Sequence, residues 1–162
     1  MKNFYTGLLL LFLTSNMTAQ NNSEDTRQTL LKEILGRWEG KGTLMGNQAT
    51  FQMQWNTALN NKFVQLTFSN TFTDKQGITR TLASKAYYNL NTKKGVWIDS
   101  RGMILPLALD FTTDTLTVLW GDAHTEQGKT IYKVADNDIQ TEDYVLKNEQ
   151  YFLFGRASYV RK

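Results

Sequence analysis

The residues best placed to do chemistry form one short alternating run of Trp97, Asp99 and Arg101. Alternate residues of a β-strand point to the same side of a sheet, so these three share a face. An indole N–H, a carboxylate and a guanidinium can together hold the polar end of a small molecule, provided that buried charges are paired. The intervening Val96 and Ile98 favour the alternative, in which the apolar face is internal and the charged pair is solvated.

The single histidine, His124, stands at alternating spacing with Asp122 and Glu126. On a strand the three side chains would point the same way, and an imidazole with two carboxylates is a donor set that suits divalent metals. Gly121 and Gly128 flank the group, however, and favour a polar loop. We therefore expect no metal site at His124.

Known catalytic constellations are missing from the sequence. It has no cysteine, no Gly-x-Ser-x-Gly elbow and no glycine-rich phosphate loop before a helix. The adjacent Glu142 and Asp143 diverge on a strand and are interpreted as solvated charges. The sequence therefore predicts no catalysis and no cofactor. An enzyme that uses Asp99, Arg101 and a tyrosine inside the fold is kept as an alternative.

Aromatic side chains dominate the apolar faces of the predicted strands. A filled core accounts for most of them, because a binding site also needs a cavity that the side chains leave open. The candidate ligand contacts are the main aromatic residues together with the charged pair: Trp38, Phe51, Trp55, Phe68, Tyr88, Trp97, Asp99, Arg101 and Trp120.

One short helix and about ten strands must position these residues. Apolar positions 30, 31, 34 and 35 predict one helix face that ends at Gly36. After Gly36 the apolar period changes to two, and short polar turns separate the strands. Consecutive hairpins predict an all-β, antiparallel, up-and-down barrel, because closure removes the exposed sheet edges. A two-layer sandwich is the competing architecture.

Residues 1–19 have the order of a secretory signal peptide. Lys2 precedes a short apolar run, polar residues follow, and small residues lead to cleavage near Ala19. The apolar run is about half the length that a membrane-spanning helix needs. We therefore expect an extracytoplasmic protein, periplasmic or secreted, with no membrane span in the mature chain.

The mature chain is expected to hold a polar N-terminus with a short helix over residues 20–35 and one barrel domain over residues 36–162. Removing Lys2 leaves 17 basic and 15 acidic residues, a net charge of 17 − 15 = +2. Because nucleic-acid binding needs a concentrated basic face, this weak and scattered excess predicts no such partner. The sequence leaves the oligomeric state open.

Two segments resemble known proteins. Residues 35–42, LGRWEGKG, resemble the opening of calycin-type barrels, the group that holds lipocalins, fatty-acid-binding proteins and nitrobindins. Residues 88–100 are similar to the middle of a bacterial family of small exported barrels with no assigned function. The resemblance implies a closed barrel that carries its ligand in the lumen.

The same resemblance implies how one end of the barrel closes. In lipocalins a late arginine crosses the ring of the early Gly-x-Trp tryptophan. Here Arg156 or Arg161 would cover Trp38 beside Gly36, through a cation–π contact.

Other calycin ligand sites do not transfer. Fatty-acid-binding proteins use an Arg-x-Tyr pair, whereas Arg156 and Tyr159 are three residues apart and face opposite sides of a regular strand. Nitrobindins bind haem through a late histidine, and His124 stands too early for that role. The sequence thus predicts an exported barrel that binds a small, mostly apolar molecule. A filled barrel of the envelope that acts through its outer surface is the alternative.

Overall fold

The protein folds into one helix followed by ten strands, in a computed structural model that describes residues 24–162. The expected signal peptide and its cleavage near Ala19 lie outside the described residues. Helix α1 covers residues 24–34. The strands are β1 (Gly36–Leu44), β2 (Asn47–Ala58), β3 (Phe63–Thr73), β4 (Thr79–Asn89), β5 (Lys94–Asp99), β6 (Ile104–Phe111), β7 (Thr115–Trp120), β8 (Gly128–Ala135), β9 (Asp138–Lys147) and β10 (Gln150–Arg161).

The strands form a closed antiparallel barrel, as the sequence predicts, and not a two-layer sandwich. Each strand pairs with its neighbours in chain order, and β1 pairs with β10 to close the ring. The pairing of β1 with β10 runs from Trp38↔Arg161 to Leu44↔Gly155. Because every strand has two partners, no unpaired edge is left in the described sheet.

Side-chain alternation separates the interior of the barrel from its surface. Along β2, Phe51, Met53 and Trp55 are buried, whereas the intervening Gln52 and Gln54 are exposed. This period of two continues around the ring, so the inward positions supply the core. The burial of these apolar side chains is the main force that holds the cylinder together.

Helix α1 closes one end of the barrel. Leu30 and Ile34, which the helix places on one face, are 1% and 2% exposed and join the barrel core. The Trp38 indole Nε1 donates a hydrogen bond of 2.9 Å to the Ile34 carbonyl oxygen, which joins the helix to β1. The end that carries α1 is therefore called the closed end.

Arg161 completes the closed end. Its guanidinium lies 4.2 Å from the Trp38 ring centroid and donates hydrogen bonds to the carbonyl oxygens of Glu33 and Leu35. Gly36 adopts a φ of +126°, and a Cβ at this position would lie 3.0 Å from Arg161 Nη1. The arginine thus stacks on the tryptophan and satisfies carbonyl groups at the end of the helix.

Arg156, the other candidate for this closure, does not take part in it. It follows Gly155 on β10 with the opposite parity, and its side chain is 62% exposed. There it forms an ion pair of 3.2 Å with Glu142. Arg156 is therefore a surface residue, because the register of β10 directs Ala157 and Tyr159 inward instead.

Within residues 24–162, no helix has the length and the apolar character that a bilayer crossing requires.

Candidate functional site

The barrel encloses a cavity of about 830 Å³. It reaches the end opposite α1, where the connections between β1 and β2, β3 and β4, β5 and β6, β7 and β8, and β9 and β10 lie. Exposed residues of that end, Met45, Arg80 and Lys147, line the cavity. The lumen is therefore open to solvent at this end, which is called the mouth.

Six of the nine predicted ligand contacts lie on the cavity wall, and three do not. Trp38 and Trp55 fill the closed half of the barrel, where Trp55 stacks on Tyr88 with ring centroids 5.3 Å apart. The Asp99 carboxylate lies beside the wall and is engaged by the protein itself. The six that line the cavity are Phe51, Phe68, Tyr88, Trp97, Arg101 and Trp120.

Trp97 and Asp99 face inward, so the sequence-based preference for a solvated outward pair is wrong. Trp97 pairs with Ala86, and Asp99 pairs with Ser84, both of which are buried inward positions of β4. Ile98 lies on the outer face and is 44% exposed. The short apolar pair at 96 and 98 was misleading because this barrel also carries apolar residues on its outer surface.

The Asp99 carboxylate is fully satisfied by protein donors. It accepts hydrogen bonds from the indole of Trp97 at 3.1 Å, from the amides of Arg101 and Met103 at 2.8 and 3.4 Å, and from the Arg101 guanidinium at 2.7 and 3.1 Å. Burial raises the pKa of Asp99, but the bonds from Arg101 and Trp97 outweigh it and hold that pKa below its ordinary value. Asp99 therefore stays ionised and fixes the turn between β5 and β6.

Arg101 links two connections of the mouth. Its Nη2 atom lies 2.7 Å from Asp99 Oδ2 and 2.6 Å from Glu126 Oε1, which belongs to the connection between β7 and β8. Both carboxylates hold the guanidinium in place, although 48% of the Arg101 side chain is exposed. The cluster predicted to hold a ligand's polar end therefore links two connections of the mouth, and the contact between Arg101 and Glu126 is called the brace.

Asp143 is the functional candidate that the sequence interpretation missed. Glu142 and Asp143 do diverge, but only Glu142 lies outside; Asp143 points into the lumen from the middle of β9 and lines the cavity. Its Oδ1 atom accepts a hydrogen bond of 2.7 Å from the Thr130 hydroxyl on β8. Burial raises the pKa of Asp143 to about 6, and the Thr130 bond opposes that rise.

Three tyrosines surround this part of the lumen. Tyr88, Tyr132 and Tyr159 line the same cavity as Asp143, and Tyr132 on β8 pairs with Thr141, two residues before Asp143 on β9. Burial, helped by the negative charge of Asp143, raises the pKa of all three well above the ordinary value. They remain neutral and offer rings and hydroxyl groups to a ligand.

Two further polar groups on the cavity wall lack hydrogen-bond partners among residues 24–162. The Oγ1 atom of Thr141, on the same face of β9 as Asp143, and the Oδ1 atom of Asn70 on β3 are both buried. The Thr141 hydroxyl faces Tyr159 without a well-aligned bond. Because unsatisfied buried polar groups are costly, these atoms are available to a ligand or to water in the cavity.

The segment around His124 is the loop that the glycines predict. Asp122 accepts hydrogen bonds from the backbone amide of His124 at 2.9 Å and from the Thr125 hydroxyl at 3.2 Å, so its carboxylate organises the turn. Within the described chain, His, Cys, Asp and Glu side chains nowhere gather in a group of three that suits a metal ion.

A fold comparison finds a similar barrel among solved structures. The crystal structure of Rv2717c from M. tuberculosis matches with a TM-score of 0.57 and 12% sequence identity, over 82% of this chain and 94% of that chain. At this identity the likeness shows a shared barrel fold and nothing finer. No family model matches the sequence, and no curated protein matches it either.

Proposed function

We propose that the barrel binds one small, mostly apolar molecule in its lumen and does no chemistry on it. The observation that carries the proposal is the cavity of about 830 Å³, which is open at the mouth and closed by α1 at the other end. This volume lies in the usual range for small-molecule sites. Its wall is mainly aromatic and aliphatic, and burial of a ligand's apolar surface there is favourable.

The composition of the wall supports binding over catalysis. The cluster that best resembled a reactive group, Asp99 with Arg101, is occupied by its own hydrogen bonds and by Glu126. Arg80 and Lys147 line the cavity at the mouth, and the remaining polar groups of the wall are neutral hydroxyls and amides together with Asp143. A lining with few polar groups suits selective retention of an apolar molecule, which is the role that the calycin resemblance also implies.

We further infer that the carrier acts outside the cytoplasm, as a periplasmic or secreted protein. Support comes from the pattern of residues 1–19, with Lys2 before a short apolar run and small residues at Ala19. The intact mass of the protein recovered from its host should correspond to a chain that begins close to Gln20. A mass that retains residues 1–19 would contradict export by cleavage.

Binding is tested with N-phenyl-1-naphthylamine, an uncharged apolar dye whose emission rises in apolar surroundings. We expect saturable enhancement at one dye per chain, with quenching of tryptophan emission as Trp97 and Trp120 line the cavity. Val118→Phe adds bulk to the cavity wall and should weaken dye binding by roughly tenfold, since a filled site excludes its ligand.

The matched control is Leu119→Phe, one residue along β7. Leu119 is 46% exposed on the outer face, so the same added bulk there should leave the dye affinity unchanged. Circular dichroism establishes that both variants fold. Dye binding that is absent, that does not saturate, or that responds equally to the two substitutions would contradict a lumenal site.

A further inference from the structure

Asp143 has a surplus of negative charge that the protein leaves unmatched. Among residues 24–162, its carboxyl accepts one hydrogen bond, from Thr130 to Oδ1, and it forms no ion pair. The other oxygen, Oδ2, lies on the side of Gly155, where a Cβ would come within 3.1 Å of it. A glycine on the paired strand β10 therefore leaves room around a carboxylate oxygen that has no donor.

The mouth carries no excess of positive charge, and both of its arginines are paired. Arg80 lies 2.8 Å from Asp74, and Arg101 bridges its two carboxylates. Together with the flanking Arg80, Asp99 and Lys147, the five connections of the mouth carry four cations and five carboxylates, namely Lys75, Arg80, Arg101 and Lys147 with Asp74, Asp99, Asp122, Glu126 and Glu149. An anionic ligand thus meets no net positive charge at the mouth, and it meets Asp143 deeper inside.

We propose that the lumen selects a protonated amine, an amphiphile whose ammonium group binds Asp143 while its apolar part lies along the aromatic wall. This inference rests on the proposed function and names the substrate class of the same site. An ammonium group supplies the cation and the hydrogen-bond donors that the carboxylate lacks. The adjacent Thr141 hydroxyl, which is buried and unpartnered, is a further acceptor for its N–H groups.

The rings around Asp143 suit the same ligand. Tyr88, Tyr132 and Tyr159 line the cavity together with Asp143, and Tyr132 pairs with Thr141, two residues before Asp143 on the same face of β9. Aromatic faces attract a cation, and aromatic residues grouped around an ammonium group are a recurring form of amine recognition. An alcohol of the same hydrocarbon would use the apolar wall equally well but could give Asp143 only one hydrogen bond from a neutral group, and a carboxylate would be repelled by its charge.

The titratable groups that face Asp143 make its response to pH simple. They are Tyr132 from β8, Tyr159 from β10 and Tyr88 from β4, and all three stay neutral below pH 9 because burial raises each pKa. On β9 itself, Glu142 and Tyr144 lie on the outer face, and Lys147 is at the mouth. Between pH 5 and pH 8, Asp143 is thus the only one of these lumenal groups that changes charge.

The experiment compares decylamine, decanol and decanoate as competitors of N-phenyl-1-naphthylamine on the full-length protein. We expect decylamine to bind roughly tenfold or more tightly than decanol at pH 8, with decanoate weakest. The advantage of decylamine should shrink towards pH 5, where Asp143 gains a proton while the amine stays charged. Decanol affinity should stay constant over the same range.

Asp143→Asn should remove the preference for decylamine and leave decanol affinity within about threefold of the wild type. Glu142→Gln, one residue away on the outer face, is the matched control and should keep the preference. Because the pH series uses the wild-type chain, the test stands even where a variant fails to fold. Equal binding of amine and alcohol, preference for decanoate, or a preference that survives both acid and Asp143→Asn would overturn the amine assignment.

Failure of this inference can be told apart from failure of the proposed function. If the dye binds once per chain and Val118→Phe weakens it, the lumenal site stands, whatever the ranking of the three decyl compounds. If none of the three displaces a bound dye, the amine assignment fails and the lumenal site remains. If the dye itself does not bind, both proposals fail together.

Discussion

Asp99 and Asp143 are two inward carboxylates of one barrel, and the protein treats them in opposite ways. Asp99, near the mouth, accepts five hydrogen bonds, including two from a guanidinium. Asp143, in the middle of β9, accepts one bond from a neutral hydroxyl. The pKa of Asp99 is held below its ordinary value, whereas burial raises the pKa of Asp143 to about 6.

The difference shows that the hydrogen-bond donors around each carboxylate, and not burial alone, determine its pKa and its role. Burial acts to raise the pKa in both cases, but only Asp99 has bonds strong enough to reverse it. A carboxylate saturated by its own protein stabilises the fold, as Asp99 does by fixing the turn before β6. A carboxylate with an unused oxygen is available to a ligand, and its charge lowers the stability of the empty protein.

The largest expected effect is a loss of stability on substitution of Asp99, the opposite of what is expected for Asp143. Asp99→Asn should lower the free energy of unfolding by about 2–3 kcal/mol at pH 7, because it weakens charge-assisted bonds in a buried position and leaves Arg101 with Glu126 alone. Because the folded-state pKa of Asp99 is depressed, its contribution is present above the unfolded-state value near 3.8 and is lost as the pH falls further. Urea unfolding of the wild type and Asp99→Asn at pH 7 measures the loss of stability, and the same comparison at pH 3 measures how far that loss shrinks in acid.

Asp110→Asn is the matched control for the first prediction. Asp110 also forms an ion pair, 2.8 Å from Lys93, but its side chain is 79% exposed. Solvent screens such a pair, so the loss should be below about 1 kcal/mol. An equal loss in the two variants would mean that the network around Asp99 is worth no more than a surface pair.

The fold could be predicted from the sequence because its determinants are local. The alternation of Phe51, Met53 and Trp55 with polar residues marks a strand with one buried face, and short turns make consecutive strands adjacent. The switch of period after Gly36 separates the helix from the barrel. Closure then follows because an open meander of ten strands would leave two exposed edges.

The site could be predicted only in part, because alternation gives the face of a residue and not its depth. Trp38 and Trp55 share the inward side of the barrel with Phe51, yet they fill the closed end and only Phe51 lines the cavity. On β9 both faces carry apolar residues, such as Val145 inward and Leu146 outward, so alternation alone did not mark Asp143 as internal.

A local irregularity also hid part of the wall. The register between β9 and β10 shifts between Leu153 and Gly155, so the bulged residue Phe154 contributes to the cavity although its parity is that of the surface residue Arg156. The brace from Arg101 to Glu126 joins residues 25 positions apart, in two different connections. Neither the bulge nor the Arg101–Glu126 contact could be predicted from the alternation of apolar and polar residues, because each depends on how two separate segments pack together.

The second prediction is smaller and opposite in sign, and it sharpens the contrast between the two carboxylates. Because the folded-state pKa of Asp143 lies above its unfolded-state value of 3.8, the folded protein holds the proton more tightly. Stability therefore falls as the pH rises from about 4 to about 6 and stays low above that range. Asp143→Asn removes this charge while its amide oxygen can still accept from Thr130, so the variant should be about 1–3 kcal/mol more stable than the wild type at pH 8.

The gain from Asp143→Asn should disappear below about pH 4, where the wild-type carboxyl is protonated in both states. Thermal unfolding of the wild type and the variant at pH 8 and at pH 3.5 measures the difference in stability at each pH. Glu142→Gln is the control, because Glu142 is paired with Arg156 on the outer face and should show no such gain between these pH values. An Asp143→Asn variant that is less stable at pH 8, or a gain of the same size in acid, would mean that the protein itself satisfies Asp143. The carboxylate would then have the same structural role as Asp99, and its charge would no longer argue for a cationic ligand.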